Sequence, residues 1–593
     1  MPAASTPAPT PTPTPTPTPS PSLIHNFGDY VAATNAGGAT APTNATLAAG
    51  SSVMDISGGF SRSVLPHTLA DLRPSMMYNV AGANVTTIND GGISVDLQGN
   101  PSGDSTVNAH ADAAAGASSL IWMQAMAVHD SASQGQFRAI ASSTANGAGS
   151  DAEIGIQHAS MAIGGTGAIN DREDLSATAT AGGVAHTLIG DFSMSVDSTA
   201  AGSAAAPVAA EAHMGFGEGQ EAGMLASADG AGSMADLAVT GNVALSGQGD
   251  DVYVFNSGLF AQGTNGGSAI TDVAGDVTFS ANGRSAHSYV LVDASTDAVA
   301  GSAGDVHVHG NVDLQSIGTE SALTRAAVRA DGTGTVEIDG HLDVDSSATS
   351  ATSFMQVISQ GSASHIDVGS LGMTMDGAGH GWMDLYTDHG GGLDIGSVNL
   401  TAASGADIGL HVQQANTAAT GTVDTTFLAH ADGTASVSIS AVNLAGAGQI
   451  NMFLNGQTFG TINQAAGFGQ LALHYQIADQ NFAGIGSAPL TTINGASGTN
   501  DAVMYNGVAA DGTNFTDAGS FDTLAALNAG LNAALDGTHK YVFAVYTGTE
   551  DINANGVADD HNAGVLAYSD SGNGMTSVLM LPGITHLTPA NIS

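Results

Sequence analysis

VHVHGNVDLQS (306–316) is the stretch that decides the fold class. Val306, Val308, Val312 and Leu314 fall on one side of an extended chain, and His307, His309 and Asp313 fall on the other. Apolar residues at every second position specify a strand with one buried face, because side chains alternate across the pleat. Gly310 sits mid-strand, where a missing Cβ permits a bend or close approach of another backbone. The pattern recurs as VTGNVALSG (239–247), VAGDVTFSA (273–281), VEIDGHLDVDS (336–346), IDVGSLGMTMDG (366–377), LDIGSVNLTAA (393–403) and VSISAVNLAG (437–446). The central glycines fall at Gly241, Gly275, Gly310, Gly340, Gly369 and Gly396, at intervals of 34, 35, 30, 29 and 27 residues. The unit near Ala441 follows a longer gap, with room for an extra or degenerate strand. Shorter strands ending in turns precede most of these units, as in LASADGAG (225–232), VRADGTG (328–334), ISQGSAS (358–364), YTDHGGG (386–392) and LAHADGTA (428–435). A weaker version of the unit reaches back to the region of Ser105.

Units of roughly 27–35 residues cannot bury an apolar face alone, so they must stack. Two architectures satisfy the pattern: a parallel β-solenoid with one unit per coil, or an array of antiparallel hairpins folded as sandwiches. Variable unit length around a constant strand core favours the solenoid, whose loops bulge at one corner without disturbing the stack. About twelve coils at roughly 4.8 Å each would make a rod near 60 Å long. The expected fold class is mainly β: a repetitive β-solenoid or stacked β-sandwich rod, with a small α+β C-terminal domain.

Composition narrows the function. The 593 residues contain 8 Lys+Arg against 53 Asp+Glu, a net charge of -45. Nucleic acid is excluded as a partner, because phosphate binding needs clustered cations; anionic membrane surfaces are excluded for the same reason. No run of about 18 apolar residues offers a membrane span. With no cysteine, disulfides and thiolate metal sites are ruled out. The 42 % hydrophobic content suffices for a packed core despite the acidity.

The chain divides into a Thr/Pro-rich linker (1–22), an N-terminal β region (23–104), the β-repeat region (105–479) and a C-terminal α+β domain (480–593). The linker, PAASTPAPTPTPTPTPTPSPS after Met1, forces polyproline II and has no secretory-signal pattern. In the C-terminal domain, FDTLAALNAGLNAALDG (521–537) reads as a helix with Leu524, Leu527, Leu531 and Leu535 in one stripe. Ser520 or Asp522 is placed to cap its start, and Gly537 to end it.

The loop DINANGVADDHN (551–562) carries the clearest chemical signal. Asp551, Asn553, Asn555 and Asp559 supply oxygens at positions 1, 3, 5 and 9, Gly556 allows the sharp turn, and the Val557 carbonyl adds an oxygen. This is the pattern of a Ca2+ loop. Asn562 stands at position 12 where a bidentate Glu is usual, and Asp560 is a substitute; an ion-free Asx turn is the alternative. Weaker metal candidates are Asp570 and Asn573 in DSGNG, Asp331 in the turn ADG (330–332), and the pair His307 and His309.

The helix, KYVFAVY (540–546), the Asp/Asn/Gly loop, LAYSDSGNG (566–574) and the tail LTPANIS (587–593) together resemble the C-terminal regions of bacterial type I-secreted proteins, including acidic calcium-binding surface-layer proteins and adhesins. The resemblance is confined to the C-terminal domain and lacks the nonapeptide GGxGxDxUx repeats. It implies export through the C-terminus, calcium binding, and a place at the bacterial cell surface or in the extracellular matrix.

No GxSxG, HExxH or P-loop is present, and the expected protein is not an enzyme. Arg325 and Arg329 are the only cations between Arg284 and Lys540, which argues against a lyase acting on acidic polysaccharide. Met373, Met375 and Met383 are read as core filler, and Trp122 and Trp382 as core packing. The leading expectation is a self-assembling structural protein, a surface-layer, filament or matrix subunit whose partner is itself. A secreted adhesin or ligand-binding exoprotein, with cell-surface polysaccharide as partner, is the alternative; a polysaccharide-acting solenoid enzyme is the third.

Overall fold

The computed structural model describes residues 53–592, apart from 57–59, 65–75, 82–84, 90–92, 98–103, 131–134, 215–222, 257, 298, 362, 389, 416–435, 456–459, 477–483, 488–489, 497–500, 555, 559 and 570–573. The Thr/Pro segment, the strand expected at 428–435, and Asn555, Asp559, Asp570 and Asn573 thus lie outside the described residues.

The protein is mainly β, a many-stranded sheet with one α-helix, α1 (Leu524–Ala534), among the described residues. Up to Tyr505 the pairings between strands are parallel. Aligned Cα partners run Phe60, Ile93, Met126, Ala159, Phe192, Val243, Val277, Val312, Leu342, Leu371, Val398, Val442, Ile462, Ile493. The same stacking occurs in two further columns. One passes through Thr271, Val306, Val336, Ile366 and Leu393. The other passes through Leu259, Val292, Val328, Val357, Leu385 and Val412.

From Val243 to Val398 each level of the stack corresponds to one repeat unit. The strand Thr335–Gln360 contributes residues 335–338 to one column, 342–347 to the next and 350–360 to the third, with register shifts marking the bends. Because long strands cross columns, a ring of eight parallel strands closes on itself from Val184–Ser198 through Met234–Val239, Ser268–Val273, Ala303–Val308, Thr335–Gln360, Val312–Asp331, Val277–Thr296 and Val243–Gln248.

Alternation sets the interior. Val306, Val308, Val312 and Leu314 are at most 1 % exposed, whereas His307, His309 and Asp313 point outward. Met373, Met375 and Met383 are buried and fill the core, as a flexible thioether suits. Alanine takes about half of the buried hydrophobic positions from Ala109 to Ala228, and Val, Leu, Ile and Met most of those beyond it. The central glycines stack at a bend. A Cβ on Gly310 would lie 2.6 Å from the Gly275 carbonyl oxygen, and one on Gly340 would lie 2.7 Å from that of Gly310. Beside them the Asn242, Asp276 and Asn311 side chains each accept the backbone N–H of the next level, from Asp276, Asn311 and His341. Further on, Asn399, Asn443, Asn463 and Asn494 form an amide ladder with N···O distances of 2.8, 2.9 and 2.9 Å.

The C-terminal residues close one end of this stack. Ser577–Pro582 pairs parallel to the last level through Thr491 and Thr492, then antiparallel to Ala563–Tyr568, which pairs with Tyr541–Tyr546. One face of this small sheet joins the stack core, with Tyr568 stacked on Tyr505 at 4.8 Å and Tyr505 on Tyr475 at 5.5 Å. Burial pushes the Tyr475 and Tyr541 hydroxyls up to about 12. The other face packs on α1 through Leu527, Leu531 and Leu535. The expected leucine stripe is present, but its cap differs. Ser520 lies in the strand Phe515–Phe521, and Thr523 is the N-cap, its hydroxyl accepting the Ala526 N–H at 3.3 Å. Between the strand end at Phe521 and the helix stand only Asp522 and Thr523, and Thr523 has the extended backbone a cap needs.

Replacing Gly310 by Ala should destabilise the chain by about 1–3 kcal/mol, since backbone and the Asp276 carboxylate crowd the Cβ position. Gly512→Ala, with nothing within 4 Å, should leave the thermal melting point nearly unchanged.

Candidate functional site

The outward positions of the stack carry the chemistry, and in-register pairing dictates who meets whom. Parallel alignment places Asp272 beside His307, and His307 beside Glu337. The level of Glu337 also contributes Asp339. The rings of His307 and His309 lie side by side with centroids 3.7 Å apart, closer than a bare i, i+2 spacing suggests. Asp339 reaches both, with Oδ1 3.3 Å from His307 Nε2 and Oδ2 3.1 Å from His309 Nδ1. Asp272 Oδ1 is 3.2 Å from His309 Nε2, and Glu337 Oε2 is 3.8 Å from His307 Nε2. The hydrogen bond from His307 holds the Asp339 carboxyl below its ordinary range.

A second group sits nearby. His341 Nε2 is 2.9 Å from Asp313 Oδ1 and 3.8 Å from Asp343 Oδ2. Burial raises the Asp343 and Asp345 carboxyls. Elsewhere the same arrangement repeats: His158 with Asp191, His186 between Glu153 and Asp236, His380 with Asp407, and His411 with Asp384. Stacked like charges would repel at this spacing, and histidine relieves them. Sequence reading identified His307 and His309. It missed their carboxylate partners, which lie one repeat unit away in the chain and become neighbours only once the register is known.

Another column of outward positions holds rings. Phe255, Tyr289, Arg325, Phe354 and Trp382 are aligned on successive levels. The Arg325 guanidinium lies 5.3 Å from the Tyr289 centroid and 5.1 Å from that of Phe354, at cation–π distance. Trp382 is 42 % exposed, which corrects its assignment to the core. It stands on a strand whose inward positions are already filled by Met383 and Leu385. The Trp122 side chain lies outside the described residues. Arg284 is tied to Asp250 at 2.8 Å and to Glu320 at 2.8 Å, which keeps the Asp250 carboxyl low. Arg329 pairs with Asp331, so that weaker metal candidate already has a cationic partner in its turn.

The 551–562 loop is an internally bonded turn. Asp560 is buried, and its Oδ2 accepts the N–H groups of Ile552 at 2.7 Å and Asn553 at 3.1 Å, while Oδ1 accepts the Asn553 side-chain amide at 3.0 Å. Asp551 Oδ2 accepts the Gly556 N–H at 2.7 Å. Ala554, Gly556 and Asn562 adopt positive φ of 54°, 85° and 62°. Val557 is exposed at the tip. The structure thus brings Asn553 and Asp560 together, ties Asp551 to Gly556 instead, and gives Asp560 a backbone-holding role that its spacing alone did not reveal.

No known protein family matches this sequence, and neither a curated protein nor a solved structure is similar to it.

Asp560→Ala should destabilise the C-terminal unit by about 2–4 kcal/mol through the loss of a buried charged acceptor, and equally so in chelator and in calcium. Asp551→Ala should cost only about 0.5–1.5 kcal/mol in chelator, through its bond to the Gly556 N–H, and more in calcium. Differential scanning calorimetry of both variants checks this.

Proposed function

We propose that the chain is an extracellular structural rod, a subunit of a surface layer, filament or matrix, and that its levels are the coils of a parallel β-solenoid. The observation that carries this reading is the column of aligned positions from Phe60 to Ile493, which passes from level to level through the whole stack. A stack of that kind is a stiff spacer with long faces. The α+β unit seals one end, so growth from that end by strand addition is blocked and lateral packing remains. In this reading the rod is not an enzyme, and its partner is a second copy of itself.

Calcium is the proposed assembly switch. The acidic faces repel one another at neutral pH, with 8 Lys+Arg in the chain to offset 53 acids. Divalent ions between faces would remove that repulsion. In the 551–562 loop Asp551 and carbonyl oxygens would hold calcium, while Asp560 stays an internal acceptor. Export through the C-terminal region and folding outside the cell, where calcium is plentiful, complete the proposal.

The Phe255–Tyr289–Arg325–Phe354–Trp382 column favours a second reading, an adhesin that binds polysaccharide. Rings on four of five successive levels of an outer face, with levels about 4.8 Å apart, suit stacking against sugars, and Arg325 between them suits a carboxylated one.

Electron microscopy and light scattering in chelator, in calcium, and in sodium chloride of matched ionic strength separate these readings. Ordered sheets or filaments with calcium alone are expected. Sodium reproducing the whole effect contradicts the calcium switch. Persistent monomers that bind acidic polysaccharide, with binding lost in Trp382→Ala, would favour the adhesin.

A further inference from the structure

We propose that Asp272, His307 and His309 form a surface site for one divalent transition-metal ion of the zinc class, with Asp339 as the carboxylate that orients both imidazoles. The site is separate from the calcium loop and bridges three successive levels, since Asp272 lies in Ser268–Val273, the histidines on the level of Ala303–Val308, and Asp339 in Thr335–Gln360.

Four observations converge on it. Each of the three residues offers a ligand atom, and these atoms lie within 4.8 Å of one another. The two imidazole rings lie against each other although both are on the outer face, where burial gives no reason for contact. Asp272 Oδ1 is shut off from solvent yet accepts no hydrogen bond among the described residues; the polar atom facing it is His309 Nε2, at 3.2 Å. A tetrahedral ion with bonds of about 2.0–2.1 Å holds its ligands about 3.3 Å apart, so this pair already has the spacing of two ligands on one ion. Finally, Asp339 bonds a nitrogen of each ring, His307 Nε2 and His309 Nδ1. His309 thereby keeps Nε2, the nitrogen facing Asp272, for the ion, and a carboxylate on the far nitrogen is the usual way to fix a metal-binding histidine.

The donor set selects the ion. Two neutral imidazoles and a carboxylate suit zinc, nickel or copper, whereas calcium takes oxygen ligands throughout. An ion here would join two levels directly, with Asp339 steadying the histidines from a third, and cancel part of the local negative charge.

The test is calorimetric titration of the full-length chain with zinc chloride at pH 7.5 in excess calcium. A His341→Ala background silences the neighbouring Asp313–His341–Asp343 group. One equivalent of zinc is expected, weakened roughly tenfold or more in the added His307→Ala/His309→Ala pair, and several-fold in Asp339→Asn. Cobalt(II) substituted for zinc should give the intense visible absorption of a tetrahedral site. Should the double histidine variant fail to fold by circular dichroism, Asp272→Asn is the substitute and should weaken zinc in the same way. Zinc binding unchanged in these variants, or suppressed by calcium at equal concentration, would overturn the proposal.

Discussion

Backbone hydrogen bonding between successive levels is the constraint on which the rest depends. In a parallel in-register stack each strand finds its partners only in the level before and the level after, because the next strand along the chain belongs to another column. No level is therefore stable alone, and a stack of this kind must have its end edges covered. At the C-terminal end that edge is covered: Ser577–Pro582 pairs with the last level, turns the sheet antiparallel, and offers Tyr568 to the tyrosine stack. The small α+β unit is thus continuous with the core that it terminates.

Register also decides the surface. A shift of one residue would turn every valine outward, and the stacked glycines at the bend forbid it by leaving no room for a side chain. Once the register is fixed, each outward residue meets its counterpart about 4.8 Å away on the adjacent level. Asparagine profits, since its amide both donates and accepts along the ladder from Asn399 to Asn494. Aspartate suffers, and Asp313 directly beside Asp343 is the clearest case. His341 sits between them and Arg284 between Asp250 and Glu320. An acidic chain with almost no lysine holds its faces together by histidine, by scarce arginine, and in our proposals by metal ions.

Much of this was legible from alternation and spacing alone. The strand faces, the glycine positions and the leucine stripe of α1 follow from local periodicity, which needs no knowledge of partners. Contacts between levels were not legible, because Asp272, His307 and Asp339 are distant in sequence and their approach depends on a register set by bends at irregular intervals. Trp382 misled for a similar reason: an apolar residue in an alternating strand reads as inward until the phase across Gly377, Gly379 and Gly381 is known. The 551–562 loop has a calcium-like spacing, yet one of its acids, Asp560, serves the backbone, a role fixed by burial rather than by position in a motif.

Distance measurement between levels tests the central claim most directly. The chain has no cysteine, so a pair introduced at Ala238 and Asp394 can carry spin labels without background. These positions belong to one outward row through Asp272, His307, Glu337 and Asp367. Five steps of about 4.8 Å predict a narrow distribution near about 24 Å, allowing for the label arms, although the two positions are far apart along the chain. A broad distribution, or one centred well beyond about 40 Å, would contradict a single in-register stack with that strand spacing.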